Sequence, residues 1–295
     1  MKEIVVISGK GGTGKTSLTA CFSVLAGKAA VLADCDVDAA DMHLMMGATH
    51  EEGIDFYSGQ KAVIDQKSCS SCGICKKECR FNAIDFHEGQ YSIDALACEG
   101  CGLCSHLCPE SAITMIDALA GAYFCSGTRL GTILVHARLS PGASNSGKLV
   151  SVVKEKAKEY AEQQGLSIIL VDGSPGIGCP VISSLSGASF VVLVTEPSQS
   201  GFSDLKRVVS LIEKFDIPSA CIINKSDLNP GLLVAIRAYL DAHNITLLGE
   251  LPYTRKFHDA IMEGRTVVEM AGDELTERIT DSWKSIIELI NEEKS

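Results

Sequence analysis

The sequence predicts an α/β protein in which a doubly wound, mainly parallel sheet is interrupted by a small inserted α+β domain. Three observations lead to this fold class. Short apolar runs of strand length alternate with amphipathic stretches of helix length over most of the chain. A glycine-rich loop separates the first apolar run from the first amphipathic stretch. The alternation stops after position 53, and eight of the 13 cysteines lie between positions 69 and 108.

The composition limits the classes of function. With 295 residues, 46% of them hydrophobic, the chain can form one large α/β domain and an insert. The net charge of -11 argues against a nucleic-acid partner, because gripping phosphate backbones needs a basic face. No signal peptide is expected before the first strand, and no apolar run reaches the ~18 residues of a membrane helix. We therefore expect a cytoplasmic protein without membrane contact, in which many cysteines indicate metal or redox chemistry.

The first strand, predicted over 4–7, leads into the loop GKGGTGKT at 9–16, and a helix is predicted over 15–27. The loop fits G-x-x-x-x-G-K-[ST], in which backbone N–H groups face phosphate oxygens. In that pattern the lysine, here Lys15, reaches the β/γ-phosphates, and the hydroxyl, here Thr16, holds Mg²⁺. Other residues expected to contact the nucleotide are Gly11, Gly12, Thr13, Gly14 and Ser17.

Two further predicted strands end in carboxylates. The strand over 29–33 is followed by Asp34 and Asp36, and the strand over 167–171 is followed by Asp172 and a glycine-rich segment. The carboxyl ends of parallel strands share one edge of the sheet, so these side chains are expected beside the phosphate loop. Asp172 has the position of an acidic residue that holds Mg²⁺ through water. The alternative for the first pair is turn and capping chemistry.

The cysteines form an internal repeat. The spacing C-x2-C-x2-C-x3-C starts at Cys69 and recurs 29 residues later at Cys98. It matches the bacterial ferredoxin pattern, in which three close cysteines bind one 4Fe-4S cluster and the fourth binds the other. One cluster is therefore predicted on Cys69, Cys72, Cys75 and Cys108, and the second on Cys98, Cys101, Cys104 and Cys79. Two zinc sites are the alternative, but zinc does not explain the triplet-plus-one spacing.

Beyond the cysteines the alternation resumes. Strands are predicted over 132–137, 190–194 and 220–223, and helices over 148–164, 202–215 and 232–240. A last helix carries apolar residues at three- and four-residue steps from Leu275 to Ile290, and its acidic to mixed polar face favours packing on the core over membrane contact. The predicted domains are a nucleotide-binding domain in two parts, 1–58 and 119–295, and an insert over 59–118.

The loop with its second lysine, Lys10, resembles the deviant Walker A loop of the MinD, ParA, Mrp and nitrogenase iron protein group of P-loop ATPases. The resemblance implies a nucleotide-dependent homodimer, or a related heterodimer, in which Lys10 reaches the partner's phosphate. The strings at 34–36 and 172–178 resemble that family's two switches, which implies that Asp36 orients the attacking water and that Asp172 acts in the second switch. Asn224 and Pro252 resemble its adenine contacts. The string NKSD at 224–227 also looks like the base-reading string of GTPases, which keeps guanine as the alternative.

The whole chain thus resembles a MinD-like ATPase with an inserted two-cluster ferredoxin domain. The resemblance implies ATP, Mg²⁺ and two 4Fe-4S clusters as cofactors. Our leading hypothesis is an ATPase that passes electrons from its clusters to a redox protein partner. The alternatives are a carrier or assembly ATPase for iron-sulfur or related clusters, and a positioning ATPase with structural clusters. Cys179 lies at an offset comparable to a cluster ligand of the nitrogenase iron protein, but we expect it to be a small buried residue.

Overall fold

The computed structural model describes residues 1–49, 52–270 and 272–292. The chain divides into two compact units. The first comprises Met1–Gly53, Tyr123–Arg138 and Ser146–Ser295, and the second comprises Ile54–Ala122 and Leu139–Asn145. The insert boundaries predicted from sequence, 59 and 118, lie inside the second unit. The strands on either side of the cysteines extend this unit in both directions.

The helices and strands have the following bounds. The strands are β1 (Lys2–Ile7), β2 (Ala30–Asp34), β3 (Ile54–Ile64), β4 (Ile84–His87), β5 (Gln90–Ile93), β6 (Ile113–Gly127), β7 (Ile133–Leu139), β8 (Ile168–Asp172), β9 (Phe190–Thr195), β10 (Ser219–Asn224) and β11 (Thr246–Leu251). The helices are α1 (Lys15–Ala26), α2 (Met42–Met45), α3 (Ile74–Glu78), α4 (Leu103–Leu107), α5 (Ser146–Gln164), α6 (Cys179–Leu185), α7 (Gln199–Phe215), α8 (Pro230–Ala242), α9 (Lys256–Met262), α10 (Val267–Met270) and α11 (Glu274–Glu292).

The first unit is built on a mainly parallel sheet, as predicted. Its strand order is β11-β10-β9-β1-β8-β2-β7-β6. Adjacent strands from β11 to β7 pair in parallel. β6 and β7 form an antiparallel hairpin, because Thr128 N donates to Thr132 O and Ser140 N donates to Ala120 O. β6 begins in the second unit and ends in the first.

Strands at the centre of the sheet are apolar up to their last residue and almost entirely buried, which explains why they form continuous apolar runs in the sequence. The stripe of α11 packs on the core as predicted. Its single tryptophan, Trp283, is buried and stacks on Phe22 of α1 with ring centroids 5.5 Å apart.

The second unit repeats its local structure as it repeats its sequence. α3 follows Gly73 and α4 follows Gly102, both with φ near +80° (79° and 76°), and each helix ends directly before the fourth cysteine of its set. An antiparallel pair, β4 and β5, lies between them in sequence. β3 was not predicted, because only two of its 11 residues are buried and no alternation results.

Candidate functional site

The phosphate loop connects β1 to α1 and depends on two glycines. Gly12 and Gly14 have φ of 79° and 93°, a conformation that side chains with a Cβ rarely adopt. A Cβ on Gly14 would lie 2.4 Å from Asn224 Nδ2. Asn224, at the end of β10, donates from that nitrogen to Thr13 O at 2.8 Å. The asparagine predicted to contact the base therefore also fixes the loop.

Three donor side chains of α1 contact the carboxylate of Asp172. Lys15 Nζ lies 2.9 Å from Asp172 Oδ1, and Thr16 Oγ1 donates to Asp172 Oδ2 at 2.7 Å. Thr19 Oγ1 donates to Asp172 Oδ1 at 3.0 Å, and Asp172 itself is fully buried. The structure thus brings together the three residues predicted for phosphate and Mg²⁺. Thr19 was missed, although its position one helical turn after Lys15 was a usable signal.

Two more carboxyls surround Lys15. Asp36 Oδ2 lies 3.7 Å from Lys15 Nζ. Asp34 is fully buried and accepts hydrogen bonds from the backbone N–H of Asp36 at 3.1 Å and of Met42 at 3.3 Å. Burial and the charge of Asp172 raise the pKa of Asp34 to about 8. Burial also raises the pKa of Asp36.

The charge balance at this site suits a divalent cation. Burial disfavours the charge of Lys15, but Asp172 and Asp36 outweigh it and its pKa is raised. Two carboxylates, Asp172 and Asp36, nevertheless face a single lysine beside the Thr16 hydroxyl, so negative charge is in excess. Oxygen donors of this kind are the ligands that Mg²⁺ prefers. The residues present therefore fit Mg²⁺ together with nucleotide phosphates.

Lys10 contacts its own chain in this structure. Its Nζ lies 2.6 Å from Glu196 Oε1, and it donates to Ser198 Oγ at 3.1 Å and to Ser200 Oγ at 2.9 Å. Lys225 Nζ lies 2.7 Å from the other oxygen of Glu196. Burial opposes ionisation of Glu196, but hydrogen bonds from the two lysines hold its pKa below the usual value. The reach of Lys10 into a partner subunit stays a prediction.

Glu196 was not predicted as a site residue. Its position directly after β9, on the edge that carries the phosphate loop, was the available signal.

A cavity of about 570 Å³ opens beside the phosphate loop. Its lining comprises Gly12, Gly14, Ser17, Asn224 and Lys225 on one side and residues between Tyr253 and Met262 on the other. Pro252, predicted as an adenine contact, directly precedes that lining. Asp227, the acidic residue of the GTPase-like string, lies outside the lining, and its Oδ1 accepts a hydrogen bond from Tyr253 N at 2.7 Å.

The two predicted cysteine quartets line two separate cavities in the second unit. Cavity A is lined by Cys69, Cys72, Cys75 and Cys108, together with Pro109 and Glu110, and has a volume of about 20 Å³. Cavity B is lined by Cys79, Cys98, Cys101 and Cys104, together with Arg80 and Phe81, and has a volume of about 260 Å³. No disulfide joins any of the 13 cysteines, all of which lie in the described ranges. Among the described residues, no group of three or more Cys, His, Asp or Glu side chains could hold a single metal ion.

Cys179 is exposed, so the expectation that it is buried was wrong. It is the first residue of α6, and the two residues before it, Ile177 and Gly178, are exposed as well. Cys21, Cys35 and Cys221, which lie within or beside elements of the core, are buried. In the described part of the chain, no helix is both long enough and apolar enough to cross a membrane.

Comparisons with known proteins agree with this geometry. The family described as the CobQ/CobB/MinD/ParA nucleotide binding domain matches residues 4–267. An uncharacterized protein, MJ0578 of Methanocaldococcus jannaschii, is 33% identical over 229 residues, which cover 77% of this chain and 79% of the relative. The septum site-determining protein MinD of Synechocystis is 25% identical over 276 residues, which cover 90% of this chain and 81% of the relative.

Solved structures give the same fold. MinD of Pyrococcus horikoshii in complex with Mg-ADP has a TM-score of 0.60 at 17% identity, covering 98% of this chain and 96% of that one. The MinC:MinD cell division complex of Aquifex aeolicus has a TM-score of 0.59 at 18% identity, covering 97% and 96%. The phosphate loop, the acidic strand ends and the extent of the family match lead to one conclusion: the chain belongs to the CobQ/CobB/MinD/ParA family of nucleotide-binding domains.

Proposed function

We propose that this protein is an ATPase that couples nucleotide-driven closure of a dimer to electron transfer through two 4Fe-4S clusters in its second unit. One observation carries the redox half of the proposal. The eight clustered cysteines divide between cavities A and B in the triplet-plus-one partition that ferredoxin spacing requires. The two members of the sequence repeat exchange their fourth cysteine, which two independent knuckles would not do.

The two groups of four cysteines that line cavities A and B fit iron-sulfur clusters better than zinc ions. Zinc needs four ligands around one ion, and no such group is found in the described residues. A cluster spreads its four thiolates over four separate irons, so its ligands need not converge on one point. Cavity B, at about 260 Å³, has room for a cluster, whereas the thiols of cavity A, at about 20 Å³, would have to move apart. When bound, the clusters would store and release single electrons at potentials set by their surroundings.

The residues of the nucleotide site have separate roles in this proposal. Lys15 and the backbone of the phosphate loop bind the phosphates, and Thr16 and Asp172 hold Mg²⁺, which neutralises charge on the phosphates. Asp36 orients the attacking water. Lys10 leaves Glu196 and reaches the phosphate of the second subunit. Adenine is favoured over guanine because Asp227 is turned to the backbone of Tyr253 and lies outside the cavity beside the loop.

Metal analysis and spectroscopy of the anaerobically purified full chain test the redox half. We expect about eight irons per chain and an EPR signal of the reduced protein that changes when ATP is added. Cys79→Ser should reduce the iron content to about half and leave cavity A loaded. Cys179→Ser is the matched control and should keep the full content, because Cys179 lies outside both cavities. An iron-free protein, or an EPR signal that is the same with and without ATP, would contradict the proposal.

A second candidate is a positioning ATPase whose clusters only stabilise the fold. The similarity to proteins named septum site-determining MinD favours it. The two functions predict different responses to reduction. In a positioning ATPase, oxidised and reduced protein should hydrolyse ATP at the same rate, and a chain lacking one cluster should still localise its cargo in cells. An ATPase rate that depends on the oxidation state would favour the redox function.

A delivery role in cluster assembly is distinguished by a transfer assay. Clusters that stay on the chain beside an apoprotein acceptor would count against that role.

A further inference from the structure

The segment that carries Asp36 is held at both ends by one buried side chain. Asp34 accepts hydrogen bonds from the backbone N–H of Asp36 at 3.1 Å and of Met42 at 3.3 Å. We call residues 36–42 the switch segment. Met42 is also the first residue of α2, so the position of α2 fixes one end of the switch segment.

The start of α2 stacks on the hairpin formed by β6 and β7. The ring of His43 lies almost parallel to that of His136 on β7, at 3° with centroids 5.4 Å apart. The ring of His136 also stacks on Phe124 of β6, at 17° and 4.9 Å. His136 Nε2 and Ser126 Oγ are hydrogen-bonded at 3.1 Å. His136 is therefore the central ring of a three-ring stack that joins α2 to both strands of the hairpin.

Backbone hydrogen bonds attach the end of α2 to the same hairpin. Arg129 N, in the turn between β6 and β7, donates to Met46 O at 3.0 Å. Thr49 N donates to Gly127 O at 2.9 Å. Arg129 also forms two hydrogen bonds with Glu269, at 2.6 and 2.7 Å, which anchor the turn. α2 is thus attached to the hairpin at both of its ends.

One strand of the hairpin, β6, also connects the second unit to the first along the chain. β6 starts at Ile113, shortly after Cys108 of cavity A, and ends at Gly127 in the first unit. Packed elements respond to a local change as bodies. A change in the switch segment therefore has a path through α2 and the ring stack to a strand that continues to the cysteines.

We infer that His136 is a positioning residue that joins the switch segment to the strand leading from the cysteine-containing unit. The effect at the cysteines rests on the proposed function, whereas the effect on α2 rests only on the contacts described above. His136 acts through α2 and the backbone of the switch segment, so it should influence how Asp36 is held. Aromatic stacking of this kind changes local equilibria by about two- to tenfold.

Three substitutions separate the stack from the hydrogen bond. His136→Ala removes the central ring, His136→Phe keeps a ring in place, and Ser126→Ala removes only the hydrogen bond. On the full anaerobic chain we would measure amide hydrogen exchange over 42–49, kcat and KM for ATP, and the ATP-induced change in the visible spectrum. His136→Ala should speed exchange over 42–49 by about two- to tenfold. It should lower kcat with KM unchanged, because the phosphate loop is intact, and weaken the spectral response.

His136→Phe should restore all three readouts, and Ser126→Ala should leave them near those of the unsubstituted chain. Unchanged exchange over 42–49 in His136→Ala, or a failure of His136→Phe to rescue it, would overturn the inference. Should His136→Ala not fold, Phe124→Leu removes a neighbouring ring of the same stack and gives the same test. A chain without iron, or without any spectral response to ATP, would contradict the proposed function while the exchange measurement still decides this inference.

Discussion

Replacing Asp172 by asparagine should destabilise the nucleotide-free protein, because it leaves the charge of Lys15 buried. Lys15 is 5% exposed and Asp172 is fully buried, with 2.9 Å between the amine and the carboxylate. Removing one partner of a buried ion pair costs roughly 3–5 kcal/mol. Two features place the cost at the low end. Asp36, at 3.7 Å, still faces the amine, and its repulsion by Asp172 is relieved. We expect a loss of about 3 kcal/mol in the free energy of unfolding.

The single tryptophan provides the assay. Trp283 stacks on Phe22 in the first unit, so its fluorescence in urea reports unfolding of the unit that contains Asp172. Thr19→Val is the matched control. It removes one hydrogen bond to Asp172 and should lower the free energy of unfolding by only about 1.5 kcal/mol. Mg²⁺ and ATP should stabilise the unsubstituted chain more than Asp172→Asn, which lacks the carboxylate proposed to hold Mg²⁺. A loss below about 1 kcal/mol for Asp172→Asn would refute the ion-pair reasoning.

Three other predictions concern pH, a buried amine and a glycine. The pKa of Asp34, raised to about 8 on folding, makes the folded state bind the extra proton, so the free energy of unfolding should fall as the pH rises from about 4 to about 8. Asp34→Asn should make that slope shallower in urea titrations at several pH values, with the remainder due to Asp36, whose pKa is also raised. Equal slopes in the two proteins would contradict the prediction. Lys154→Met should lower the free energy of unfolding by about 3 kcal/mol, because Glu3, 2.7 Å away, loses its ion-pair partner. Adding Glu3→Gln should recover part of this loss in the same urea assay. Gly100→Ala should reduce the iron content, because the new Cβ would lie 2.0 Å from a backbone oxygen of β3. Gly102→Ala is the control and should retain more iron, because no atom lies within 4 Å of its new Cβ.

The sequence was sufficient for the elements whose pattern is local. The central strands are buried on both faces and appear as uninterrupted apolar runs, and α11 shows a clear stripe, so both were predicted close to their bounds. β3 and β6 were missed because partly exposed faces give no alternation. The predicted insert boundaries, 59 and 118, lie inside the second unit for the same reason.

In the candidate site, too, the sequence predicted the residues that local patterns define and missed the contacts between distant residues. Lys15, Thr16 and Asp172 could be grouped because a motif and a strand end define their positions. The ion pair of Lys10 with Glu196 joins residues that are distant in sequence, and its formation depends on side-chain conformations that no local pattern encodes. The exposure of Cys179 likewise follows from the path of the segment before α6.

The strand order has a consequence for how the chain folds during synthesis. β8 lies between β1 and β2 in the sheet, yet it is made after the whole cysteine-containing unit. β1 and β2 therefore cannot pair with β8 until β8 has been synthesised, whereas the second unit is complete before then and can fold. Such non-local pairing slows folding and prolongs the exposure of apolar strands. The order of synthesis thus favours a cysteine-containing unit that matures first and a nucleotide site that is completed only when β8 joins the sheet.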